Sequence, residues 1–184
     1  MSKVVFMQGI SLDGYVEGPN REIDWHRVDD ELHTYLNESF RGVGAFLEGR
    51  VTYQLMQEYW PTADQDPSAP KPVLDFARIW RETPKYVFSR TLERSDGHAT
   101  LVKDVDPAHI EQLKQQHGVL FVGGTDLAAE FLRRNLVTEL RIYVHPVVIG
   151  AGKPLFAPGA RHDLELLENR RFGNGVVLLH YSLT

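Results

Sequence analysis

Two stretches decide how this chain is read: Leu47-Glu48-Gly49-Arg50-Val51-Thr52-Tyr53 and Phe121-Val122-Gly123-Gly124-Thr125-Asp126-Leu127. Each runs from an apolar segment through glycine into residues with helical spacing, the pattern of a strand-to-helix turn. In an open α/β sheet, ligands sit beyond the carboxyl ends of the strands, where helix N-termini point outward. Unpaired N–H groups and the helix dipole stabilise an anion there, and glycine lets backbone approach a phosphate with no Cβ between them. Arg50 adds a forked charge and Thr52 a hydroxyl donor. Two such corners in one sheet suit the two phosphate regions of a dinucleotide. A steric reading stands beside this one, since strand–glycine–helix turns occur throughout α/β proteins without any ligand. Neither corner is the G-x-G-x-x-G fingerprint, so a Rossmann site is not supported.

Outward from the corners, strands and helices alternate. Lys3–Ser11 reads as a buried first strand, followed through Glu17-Gly18-Pro19-Asn20 by a long loop. Val28, Leu32, Tyr35, Leu36 and Phe40 then mark one face of a helix. Ala45–Glu48 is a short strand, and Val51, Leu55 and Tyr59 form the stripe of a second helix that Pro61 stops. Residues 61–72 hold four prolines and no periodicity, which predicts an ordered loop. Val73, Phe76, Ala77 and Trp80 give a third helix. Strands follow at Lys85–Ser89 and Ala99–Lys103. Asp106-Pro107 caps and starts a helix that Gly118 ends, with Ile110 and Leu113 facing inward. Val119–Val122 reads as a strand covered on both faces, and a helix from about Thr125 to Asn135 comes next. Glu139–Ile149, Leu164–Arg171 and Gly175–Leu183 complete the chain as strands. This order predicts a largely parallel sheet with right-handed crossovers, closed by antiparallel strands at one edge. One domain over 1–184 is expected.

Composition narrows the function. The 184 residues carry a net charge of −5, with 42% hydrophobic and 24% charged side chains, as in an ordinary globular protein. With no cysteine, thiolate catalysis, iron–sulfur clusters and cysteine-built zinc sites are excluded. The acidic balance argues against nucleic acid, which calls for a basic stripe. No apolar run approaches the ~18 residues of a membrane span. The N-terminal apolar run breaks at Gln8-Gly9, too early for a secretion signal, so a cytoplasmic address is expected.

Four motifs in order resemble a known family: Ser11-Leu12-Asp13-Gly14, Gly49-Arg50-Val51-Thr52-Tyr53, Val122-Gly123-Gly124, and Pro146–Phe156 with its Gly150-Ala151-Gly152-Lys153-Pro154 core. They are similar to the reductase domain of bifunctional riboflavin-biosynthesis proteins and, more distantly, to dihydrofolate reductase. The resemblance spans nearly the whole chain. It implies a dihydrofolate reductase-like α/β fold, NADPH as cofactor and frequent dimers, for which the tail around Leu140–Ile149 is the expected surface. It also implies that Gly49, Arg50 and Thr52 contact the pyrophosphate and 2′-phosphate, and that Ser89 and Arg90 form the adenosine 2′-phosphate site. Gly123, Gly124 and Thr125 would form the second phosphate turn, with Ile10, Asp13 and Gly14 near the nicotinamide. The chemistry of a hydroxyl beside a guanidinium agrees for Ser89-Arg90, although an exposed loop arginine explains Arg90 equally well.

What it implies chemically is hydride transfer from NADPH to a small heterocycle, with a ribosylamino-pyrimidine first and a dihydrofolate-type pterin second. A nucleotide-binding module without turnover is the alternative from another class, because no catalytic acid is unmistakable. Asp13 is the catalytic candidate, either through a bound water or by orienting its loop. Trp25 is the substrate candidate, able to roof a planar ring by stacking, with simple anchoring of the loop as its rival. Dihydrofolate reductases carry a carboxylate early in the first helix; Asp29, Asp30 and Glu31 stand there, where the dipole alone also favours acids. His26 and His33 flank Asp29 and Asp30 but match no metal-binding spacing, so no metal is expected. The zinc deaminase signature is absent, so the reductase is expected to stand alone.

Overall fold

A computed structural model describes residues 2–95 and 99–184 of the chain; Met1 and residues 96–98 lie outside the described residues. The first strand, β1 (Lys3–Ser11), runs through the middle of an eight-stranded sheet. Beside it lie β6 (Val119–Gly123) and then β3 (Ala45–Gly49), β4 (Lys85–Phe88) and β5 (Ala99–Val102), all parallel. On its other side β7 (Glu139–His145) is also parallel. β10 (Val177–Leu183) and the edge strand β9 (Leu164–Arg171) are antiparallel. The expected alternation and the antiparallel tail are both present.

Helices cover both faces. α4 (Pro107–His117) and α5 (Thr125–Arg133) bury Ile110, Leu113, Leu127 and Phe131 against Val4, Phe6, Leu47 and Val122. On the opposite face α1 (Asp30–Phe40), α2 (Arg50–Tyr59) and α3 (Lys71–Glu82) pack on Phe46, Val87, Tyr143 and Leu178. Strand alternation sends Phe46 and Glu48 to this second face, and Ala45 and Leu47 to the first. Trp80 is its largest buried side chain, stacked on Phe46 at 5.6 Å between ring centroids.

The structure corrects the sequence reading at four places. Val28 lies outside α1, because Asp29 caps the helix by accepting the Leu32 amide at 3.0 Å, and Val28 is left exposed. In α2 the expected stripe of Val51, Leu55 and Tyr59 faces solvent, and Tyr53 is buried with Met56 and Trp60 packed beside it. The helix carries two apolar stripes, and the aromatic one meets Phe46, Phe76 and Trp80. The stretch expected to be only a loop after β1 contains β2 (Tyr15–Glu17), which pairs with β8 (Lys153–Pro154). Lastly, the strand expected over Glu139–Ile149 stops at His145 as β7, an interior strand with Leu140, Ile142 and Tyr143 buried between β1 and β10. The open edge beyond it is β9, whose eight residues are all exposed.

Candidate functional site

Parallel pairing puts the carboxyl ends of β4, β3, β6, β1 and β7 on one rim. Glu48 of β3 pairs with Gly123 of β6, and Val122 in turn with Phe6 of β1. The two glycine corners are therefore neighbours. They also touch: a Cβ at Gly124 would lie 2.5 Å from the Thr52 hydroxyl, and Gly124 has φ +91°. Only glycine takes that conformation cheaply while leaving room for Thr52.

Helix capping sets these corners apart from α1 and α4, though not from α3, which begins at Pro70 and also lacks a side-chain cap. α1 and α4 begin under side-chain caps, Asp29 and Asp106. α2 begins at Gly49 and α5 at Gly124 with no side-chain cap. Their first-turn N–H groups thus lack the usual acceptor, side by side, where an anion would meet both dipoles. Arg50 opens α2 and is exposed, held to Gln54 at 3.1 Å. Thr125 opens α5, followed by Asp126, whose carboxylate is paired with Lys153 at 2.7 Å. Ser89 lies one strand farther along the rim, its hydroxyl accepting the Thr91 and Leu92 amides. Arg90 beside it is ion-paired with Asp104 at 2.5 Å and exposed, so the loop-arginine description fits this state and any phosphate contact requires exchange of partners. From Ser89 to Ile10 the rim crosses three strand gaps of ~4.8 Å each.

Around β1 the expected residues divide. Ile10 packs toward the α4–α5 core. Gly14, at φ +88°, accepts the Leu155 amide at 3.0 Å, joining the loops after β1 and β7. Asp13 accepts the amides of Ile149 and Gly150, at 3.2 and 2.8 Å. The Ser11 hydroxyl, then those amides, hold its carboxyl below the usual range. A carboxylate so engaged is ionised at neutral pH and ties the loop after β1 to the one after β7. Glu31 is likewise engaged, accepting the Gly173 amide at 2.9 Å, while Asp29 is the cap.

Trp25 belongs to a cluster. Its ring meets His26 edge-on at 4.2 Å, and His26 stacks on His145 at 4.7 Å with 6° between planes. Both imidazoles lie over Gly9, where a Cβ would be 3.1 Å from His145 Nε2 and 3.3 Å from His26 Cε1. His145 Nδ1 accepts the Arg27 amide at 3.0 Å, and Asn174 donates to the Arg27 carbonyl, also at 3.0 Å. Burial first, then His26 and Arg27, push His145 down to about 4, so it is neutral and able to accept. Trp25 is thus both anchored and half-exposed, a roof clamped onto the end of β7.

Sequence reasoning missed Gly9, His26, His145 and Glu48 as site residues. Gly9 carried a signal, an isolated glycine inside a strand, which marks a close approach. Glu48 carried another, an acid in an apolar strand. It is 1% exposed, and no hydrogen-bond donor among the described residues reaches its Oε2.

Comparisons with known proteins agree with this architecture. A family model described as the RibD C-terminal domain matches residues 2–178. The uncharacterized Bacillus subtilis protein YyaP is 33% identical over 184 residues, spanning 97% of this chain and 94% of its own. A bifunctional diaminohydroxyphosphoribosylaminopyrimidine deaminase and 5-amino-6-(5-phosphoribosylamino)uracil reductase from Thermotoga maritima superposes with a TM-score of 0.67 at 17% identity, over 100% of this chain and 57% of its own. Dihydrofolate reductase from Enterococcus faecalis, solved with NADP(H), gives 0.66 at 10% identity, over 99% and 96%. The fold is that of dihydrofolate reductase.

Proposed function

The chain belongs to the RibD C-terminal domain family, and from that premise we propose that it is an NADPH-dependent reductase of a small heterocycle, foremost a ribosylamino-pyrimidine. The observation that carries this reading is the pair of uncapped helix N-termini, α2 and α5, in contact through Thr52 and Gly124. A cradle that a Cβ would fill, with unpaired N–H groups on both sides, fits a diphosphate. Arg50, Thr52 and Thr125 would hold that group, and Ser89 with Arg90 the adenosine phosphate once Arg90 leaves Asp104. NADPH supplies hydride when bound. The chain's part is orientation and exclusion of water: Ile10 and Gly14 frame the rim beside Gly9, and Trp25 on its clamped loop covers the reacting face.

Thermal unfolding with added nucleotide tests it. NADPH at 100 times its dissociation constant stabilises the chain by about 2.7 kcal/mol, and ribosylamino-pyrimidine then drives loss of reduced-nicotinamide absorbance. No shift with NADPH or NADH defeats the proposal. A shift with no oxidation across pyrimidine and pterin substrates favours the second reading, a nucleotide-binding module, which the engagement of Asp13 with its loop supports.

We propose further that the working unit is a homodimer joined along β9. Leu164, Leu166 and Leu167 are 40–50% exposed on this open edge, which offers unpaired N–H and C=O groups to a second copy.

A further inference from the structure

Glu48 is the penultimate residue of β3, one before Gly49 and opposite Gly123 of the second corner. Its Oε1 lies 3.1 Å from where a Gly123 Cβ would stand, so the side chain sits directly under the seam between the corners. Only 1% of the residue is exposed, and Oε2 has no partner among the described residues. On the face Glu48 shares, α2 contributes Tyr53, α3 Phe76 and Trp80, α1 Phe40, and β6 Phe121. Cations on this face are Lys85 of β4, which pairs with Phe46 one step back along the sheet, and, two and three strands away, Lys3 of β1 and Arg141 of β7. The Lys85 Nζ is occupied with the Trp80 and Thr83 carbonyls and stands 4.6 Å from the Trp80 ring centre. No ion pair joins it to Glu48. Arg50 is exposed above the rim.

A carboxylate with one buried oxygen unpartnered is costly in such a place, and a diphosphate bound over it raises the cost through like-charge repulsion. The neutral acid pays neither penalty. We propose that Glu48 is a proton-holding residue of the coenzyme site, a carboxylic acid in the complex, so that binding NADPH is linked to uptake of one proton by this side chain. The inference rests on the reductase reading and gives a role to Glu48, which is not among the phosphate-contacting residues of either corner. Burial, opposed by Lys85, pushes the Glu48 carboxyl up to about 8, and burial, opposed by Glu48, brings Lys85 down to about 8, so the Glu48→Gln variant is needed to tell the two apart in this range. The coenzyme's 2′-phosphate monoester has already lost its second proton there, at about 6, and its diphosphate bridge has no second proton to lose.

Calorimetric titration of the full chain with NADPH in buffers of different ionisation heat measures the proton directly. Uptake is expected to be near zero at pH 7, roughly half a proton at pH 8 and close to one at pH 9, with affinity falling toward tenfold per pH unit above 8. In Glu48→Gln the uptake disappears and affinity stops changing between pH 7 and 9. Binding without uptake in the wild type, or uptake persisting in Glu48→Gln, overturns this inference alone and points to Lys85 or another group. Absence of binding at every pH overturns the reductase reading, and this inference with it. If Glu48→Gln does not fold, carboxyl-labelled glutamate in the wild type decides by NMR. One resonance titrating near pH 8 and displaced above pH 9 by NADPH is expected; its absence overturns the proposal.

Discussion

Gly124 and His145 each do their work through a single atom's worth of space or charge. At Gly124 the φ of +91° and the Thr52 hydroxyl together forbid a side chain. Gly124→Ala is expected to cost about 1–2 kcal/mol in urea unfolding from the backbone alone, and to weaken NADPH by disturbing the seam. His145 is neutral in the folded chain, with a value of about 4 against an ordinary 6.5. Its contribution is therefore complete above pH 6.5, and is lost as pH falls toward 4, because the unfolded chain binds the proton first. Urea midpoints should drop across that window by an amount on the order of 1–3 kcal/mol, and His145→Gln should flatten the slope. The arginines test phosphate reading: Arg50→Ala and Arg90→Ala are expected to weaken NADPH more than NADH, and equal losses in direct binding would show that neither reads the 2′-phosphate.

Among the elements, α2 is the most informative because its two apolar stripes compete. Leu55 is 64% exposed while Tyr53 is 2% exposed, so only one stripe holds the helix to the sheet. Leu55→Gln should change stability by less than about 0.5 kcal/mol, and Tyr53→Ala should cost several kcal/mol, near the ~3–5 of other buried aromatics. Equal effects in denaturant titrations would mean the helix is rotated. The loop after β1 follows the same logic: its anchors come from β7 and from Asn174, so its order depends on strands far along the chain.

For the whole molecule, assembly is the open quantity that an experiment settles quickly. Light scattering at micromolar concentration should give twice the chain's 21.0 kDa, and Leu166→Lys with Leu167→Lys should return it to the monomer mass. A monomer in the unaltered chain removes the β9 interface. No helix among the described residues is long and apolar enough to cross a membrane. The proposed coenzyme surface is the single rim where six parallel strands end, because parallel pairing aligns all their carboxyl ends.

Local chemistry by itself determined the strand and helix order, the Asp106-Pro107 start and Gly118 stop of α4, and both glycine corners, since each depends on residues within a turn or two. Tertiary structure decided which stripe of α2 is buried, that Asp13 is spent on its neighbouring loop, that Arg90 is paired with Asp104, and that Glu48 and the His26–His145 stack are enclosed at the site. Those facts depend on sheet register, which brings together residues remote in sequence. Periodicity marks two faces of a helix as apolar, but only the partners across the sheet determine which face loses its water.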